Sequence, residues 1–119
     1  MTDDPAMREP DFLILTSLAA HPRQGCAVIE DIELISAGRV VLATGTLDTA
    51  IDRLRSDGLI EIDHEELVDS RLRRYYRLTD AGAQHLATEA QRLRRHATAA
   101  VARLRRRHQQ SPRPGGEPG

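Results

Sequence analysis

Three observations predict a mainly α fold with a small β-hairpin. Before residue 58 an apolar run closed by His21-Pro22 is followed by two segments whose apolar residues recur at helical spacing. Two short runs, 60–65 and 71–78, alternate as strands do. A heptad seam then runs from residue 86 to residue 104. With 119 residues the chain suffices for one small core and not for two.

Residues 1–10 are polar, carry two prolines and read as a loose arm. Asp11 is placed to cap a first helix, FLILTSLAA, which ends at His21-Pro22 because proline disfavours helical geometry in the residue before it. A second helix follows Gly25. Its stripe is Val28, Ile29, Ile32 and Ile35, and Gly38 suits its left-handed end. After a brief extended link, Thr44 is expected to cap a third helix from about Gly45 to Asp57, stopped by Gly58. Leu47, Ala50, Ile51 and Leu54 gather on one side of it; Gly45, Asp48, Thr49, Asp52, Arg53 and Ser56 lie on the other.

In LIEIDHEE, Ile60, Ile62 and His64 alternate with Glu61, Asp63 and Glu65, as in a half-buried strand. In RLRRYYRL, Leu72, Arg74, Tyr76 and Leu78 share one face and Arg71, Arg73, Tyr75 and Arg77 the other. The two runs form a hairpin. Its turn lacks Asn-Gly or Asp-Gly, so a longer, mobile tip near Leu67–Ser70 is expected. Thr79 caps a last helix reaching about His108, with Asp80 at its positive end. Leu86, Ala90, Leu93, Ala97, Ala100 and Leu104 form a seam at 4-3-4-3-4 spacing. Two readings are open: self-association through an exposed stripe, or folding back on the first helix. SPRPGGEPG is disordered by composition. The expected layout is an arm over 1–10, a domain over 11–79, a dimerisation helix over 80–108 and a tail over 109–119.

Net charge of −1 hides an asymmetry: residues 1–66 sum to −9 and residues 67–119 to +8. That split points to one basic pole, suited to nucleic acid, an acidic partner or solubility. No apolar run reaches the roughly 18–20 residues of a membrane span, and no export signal is evident. The single Cys26 fits a reducing cytoplasm and is expected as a small buried hydrophobe rather than a reactive thiol. Arginine without any lysine fits a GC-rich bacterial genome. The five histidines show no metal-ligand spacing with one another or with Cys26, and no phosphate loop or activated nucleophile motif is present. Neither a cofactor nor an enzymatic activity is expected. His64, on the Ile60–Ile62 face, reads as surface or partly buried, with pH sensing as the sharper alternative.

Three helices followed by a basic hairpin describe a winged helix-turn-helix, in which the third helix enters the major groove and the hairpin touches flanking backbone. GTLDTAIDRLRSDGLI followed by RLRRYYRLTDAG resembles the PadR family of bacterial transcriptional regulators over roughly residues 11–95. The resemblance implies a dimeric repressor of neighbouring genes, released by a small ligand. It also implies the compact branch of the family, in which the last helix pairs with the partner's first helix, here including Phe12. Two departures stand out. Gln24-Gly25-Cys26 replaces the family's His-Gly-Tyr, and Asp48-Thr49 replaces Tyr-Pro.

Candidate DNA contacts follow. Thr44, Gly45, Thr46 and Thr49 are placed for phosphates or thymine methyls, and Arg53 for a guanine or a phosphate. Arg71 and Arg73, outward near the wing tip, suit phosphate or minor-groove insertion. Arg74 suits either an ion pair or a phosphate, and Tyr75 either a phosphate or packing. Asp48 and Asp52 either accept from cytosine N4 or are solvated surface acids. The C-terminal arginines, including Arg92, Arg94, Arg95 and Arg103, favour the helix dipole and solubility. The expected partners are double-stranded DNA, a second copy and a small-molecule effector, with no membrane. A dimer contacting on the order of eight phosphates would lose affinity with salt at a log–log slope of roughly −7. The alternative is a winged-helix interaction module that has lost operator recognition and modulates another regulator.

Overall fold

The computed structural model describes residues 7–110. Of the expected arm over 1–10 and tail over 109–119, residues 1–6 and 111–119 lie outside them, while 9–10 open the first helix and 109–110 close the last one. The elements run α1 (Glu9–Ala20), β1 (Arg23–Gln24), α2 (Gly25–Ile35), α3 (Thr44–Ser56), β2 (Ile60–Val68), β3 (Arg71–Leu78) and α4 (Asp80–Gln110). They divide into two units, one ending at Glu89 and the other starting at Ala90.

α1 starts two residues before the expected cap. Pro10 sits in its first turn, where its missing N–H costs no helical hydrogen bond, and Glu9 and Asp11 face the positive end of the dipole. His21 is extended before Pro22 and ends the helix. The α2 stripe holds only in part: Val28 and Ile32 are buried, Ile29 is half-buried and Ile35 is exposed. Ala37 and Gly38 both take positive φ after α2. α3 is capped by Ala43 and not by Thr44, whose side chain makes no cap bond because Thr44 is already helical.

Twelve apolar residues make the core: Leu13, Ile14, Leu15 and Leu18 from α1, Val28 and Ile32, then Leu47, Ala50, Ile51 and Leu54, with Leu59 and Ile60 at the root of β2. Tyr76, Leu78, Leu86 and Phe12 pack against it, half-buried. Cys26 is exposed, a correction to the buried reading. It lies in the first turn of α2, off the Val28–Ile32 face.

The sheet differs from the expected hairpin in three ways. A third strand, β1, pairs with β3 through Arg23↔Tyr76 and Gln24↔Tyr75, giving the order β1-β3-β2. The β2–β3 turn is tight: only Asp69 and Ser70 lie between the strands, and both are left-handed, with φ of 50° and 65°. A small polar side chain at Asp69 tolerates this conformation, as the glycine pairs of other two-residue hairpins do. Finally, the register slips between Ile62 and His64, so that Asp63 is an inserted bulge residue.

Thr79 caps α4 as expected. Its Oγ1 accepts from Gly82 N at 3.0 Å and donates to Gly58 O at 2.6 Å. No helix of the described residues is long and apolar enough to cross a membrane.

Candidate nucleic-acid interface

α3 turns Leu47, Ala50, Ile51 and Leu54 into the core, so its opposite face is set by helical geometry alone. That face holds Gly45, Thr49, Asp52 and Ser56 at its centre, flanked by Thr46, Asp48, Arg53 and Arg55; all are exposed, as is Thr44. A Cβ on Gly45 would meet nothing within 4 Å, so the glycine leaves an open stretch of backbone. Thr49 Oγ1 donates to Gly45 O at 3.1 Å. Its lone pairs and methyl remain outward. Arg53 turns aside: Nη2 lies 2.6 Å from Oδ1 of Asp11 on α1. Asp48 and Asp52 have no partner among the described residues.

The wing carries its charges in opposed pairs. β2 supplies Glu61, Asp63, Glu65 and Glu66; β3 supplies Arg71, Arg73, Arg74 and Arg77. Arg77 Nη2 is 2.5 Å from Glu61 Oε2, and Nη1 is 3.5 Å from Asp63. Arg74 Nε donates to Glu65 Oε2 at 2.9 Å, the ion-pair reading of that residue. The hydrogen bond to Glu65 raises the Arg74 pKa above its ordinary value, and the one to Glu61 does the same for Arg77. The acidic first half of the sequence therefore lies against the basic hairpin strand, and the wing is not the basic pole that the linear charge count implied. Arg71, opposite Val68, is exposed and has no ion pair among the described residues.

Gln24 links β1 to the wing. Its Oε1 accepts from Arg73 Nη1 at 3.0 Å and its Nε2 donates to the Tyr75 hydroxyl at 3.1 Å. The Tyr75 hydroxyl donates in turn to Glu66 Oε1 at 3.2 Å. His64 stacks on Tyr75 with centroids 4.3 Å apart and lies 2.5 Å from Asp63 Oδ2. It is expected with Ile60 and Ile62, but the Asp63 bulge turns it to the Tyr75 side. Arg73 and Tyr75 are thus half-buried parts of a network, and Arg73 Nε is buried without a partner.

Sequence reasoning noted Gln24 only as a departure from the family's histidine and passed over Arg39 and Arg55. Nothing local marks a two-residue strand, so the link from Gln24 to the wing carries no signal. Arg39 and Arg55 are exposed and unpaired among the described residues, on the link before α3 and on α3 itself. Being single arginines outside the hairpin run, they attract less notice than the cluster at 71–77.

Residues 7–89 contain nine arginines against fifteen Asp and Glu; residues 90–110 contain seven arginines and no acid. Within that second stretch Ala90, Leu93, Ala97, Ala100 and Leu104 are exposed, Leu104 by 62%. Val101 is exposed beside them.

Comparison with known proteins gives a consistent picture. The model of the transcriptional regulator PadR-like family matches residues 14–88. No curated protein matches the chain. A PadR family transcription regulator from Clostridium difficile R20291 is similar at 23% identity, with 82% of this chain and 99% of that one covered and a TM-score of 0.68. A padr family transcriptional regulator from Eggerthella lenta DSM 2243 is 29% identical, with 79% of each chain covered and a TM-score of 0.61. Bacillus subtilis PadR in complex with operator DNA is 18% identical, with 68% of this chain and 46% of that one covered and a TM-score of 0.61.

Proposed function

The chain belongs to the PadR-like family of transcriptional regulators, and from that premise we propose that it is a homodimeric, sequence-specific DNA-binding repressor released by a small ligand. The observation that carries the reading is α3. It is anchored by four buried apolar residues and presents an uninterrupted exposed outer face. A helix held this way enters a major groove with its exposed outer face toward base edges. The operator complex of the Bacillus subtilis neighbour supports DNA as the partner of this fold.

Dimerisation rests on the second unit. A stripe of exposed leucines, valine and alanines at heptad spacing is costly to leave in water and is covered by a second copy. Its small alanines leave room for an effector between helices. Like charge works against pairing this stretch with itself, because it holds seven arginines and no acid. The acidic first unit of the partner, including α1 with Glu9, Asp11 and Phe12, is the better complement.

The test is selection of bound fragments from genomic DNA, with sedimentation of the same preparation. A dimer that enriches a pseudo-palindrome with half-sites about one helical turn apart is expected. A second reading, an interaction module without an operator, is favoured by the net negative charge of residues 7–89 and the paired wing. Enrichment of no motif, together with a co-purifying protein partner, would decide for it.

A further inference from the structure

α3 carries two arginines, and its reading face uses neither. Arg53 is held sideways by Asp11 at 2.6 Å. Arg55 lies toward β2, roughly 90° from the outward direction at about 100° per residue. The centre of the face is left to Thr49 and Asp52, one turn apart, with Gly45 and Ser56 on either side of them along the helix, all exposed. Thr49 spends its hydroxyl proton on Gly45 O. Asp52 is a carboxylate with no partner among the described residues. The hydroxyls of Ser56 and, at the flank, Thr46 remain exposed donors, but the Asp52 carboxylate offers acceptors alone.

An acceptor-only side chain selects among bases by elimination. Guanine presents N7 and O6 to the major groove and thymine presents O4, all acceptors that repel a carboxylate. Adenine offers the N6 amine, but its N7 lone pair lies beside it. Cytosine offers the N4 amine with only the ring C5–H as neighbour. On that chemistry, and resting on the DNA-binding reading above, we propose that Asp52 is a specificity-determining residue that reads a cytosine in each half-site through its N4 amine. The same carboxylate repels phosphate, so Asp52 lowers affinity for duplex in general while raising selectivity.

Selection from random duplex DNA, with the full chain and with Asp52→Asn and Asp52→Ala, tests this. The original chain should enrich cytosine at one position of each half-site. Asp52→Asn should move that position to adenine, because an amide donates to N7 and accepts from N6. Asp52→Ala should leave it without preference, discriminate about tenfold less between the selected site and its guanine-substituted version, and bind unrelated duplex more tightly. Asp52 is exposed on the helix surface, so both variants should keep the native melting curve. A motif from the original chain that both variants retain unchanged would overturn the role of Asp52 and leave DNA recognition standing. Absence of any motif from the original chain overturns the DNA-binding reading, and the role of Asp52 with it.

Discussion

Arg53 reaches from α3 to Asp11 in the first turn of α1, with 2.6 Å between Nη2 and Oδ1. The carboxylate is 13% exposed and the guanidinium 42%. A pair this open contributes modestly, about 0.2–1 kcal/mol. Its larger effect is to withdraw one of two cations from the α3 surface. Asp11→Asn should therefore cost no more than about 1 kcal/mol in a urea titration while strengthening binding to any duplex. If the freed arginines reach phosphate, the log–log salt slope steepens by about 2 per dimer. An unchanged slope would mean that Arg53 stays off the backbone even when released.

The turn at Asp69-Ser70 holds two non-glycine residues at positive φ. The conformation is uncommon for serine and ordinary for glycine. Ser70→Gly should relieve that strain and give the Asp-Gly pair of a two-residue hairpin. The expected gain is up to about 1 kcal/mol, read as a rise in Tm of roughly 4–8 °C. A fall in Tm would show that the Ser70 side chain matters more than its backbone.

Helix identity and order were legible because burial imposes a 3.6 period, and every α3 core residue falls on the expected stripe. What escaped is what period cannot encode. β1 is two residues long and exists through its partner β3, so no local pattern marks it. The Asp63 bulge inverts the alternation downstream of Ile62, which moves His64 across the sheet although the sequence alternates without interruption. Charge misled for a related reason. Counted along the chain, Arg71–Arg77 is a basic cluster, but a hairpin lays it against Glu61, Asp63, Glu65 and Glu66. The candidate DNA contacts were legible as positions on exposed faces. Which of them are already engaged, as Arg53, Arg73 and Tyr75 are, depends on neighbours 42 to 51 residues away.

Arg71 is the wing arginine best placed for phosphate. Arg71→Ala should weaken binding to all sequences alike and make the salt slope shallower by about 1.8 per dimer, two contacts at about 0.9 each. The paired change Glu65→Gln with Arg74→Gln removes one charge of each sign, and should leave the slope where it was. Fluorescence anisotropy at several salt concentrations separates the two. An equal change from both would mean that paired arginines leave their carboxylates to meet DNA.

The seam after Ala90 predicts a mass change. Leu93 and Leu104 are exposed by 39% and 62%. Replacing both with asparagine removes their apolar surface and adds no charge to an all-basic stretch. The expected result by sedimentation is a shift from dimer to monomer at micromolar protein, together with a concentration-dependent Tm that the double variant loses. Retention of the dimer would place the interface elsewhere.

Two helical glycines should respond oppositely to alanine. Alanine is favoured over glycine inside a helix by about 0.8–1 kcal/mol, and that term is common to both sites. At Gly45 nothing lies within 4 Å of the added Cβ, so only the helix term acts and Gly45→Ala should stabilise the chain. At Gly82 the Cβ would run into the Leu59 carbonyl oxygen and come within 2.8 Å of Leu78 Cδ1. Backbone cannot yield as a flexible side chain would, and α4 is fastened there because Thr79 caps it and bonds Gly58. Overpacking of this kind costs about 3 kcal/mol or more, enough to outweigh the helix term. Gly82→Ala should therefore fold poorly, or melt lower by on the order of 10 °C, from a net loss of about 2 kcal/mol. Should both variants melt above the original chain, α4 could not be seated against Leu59 as described.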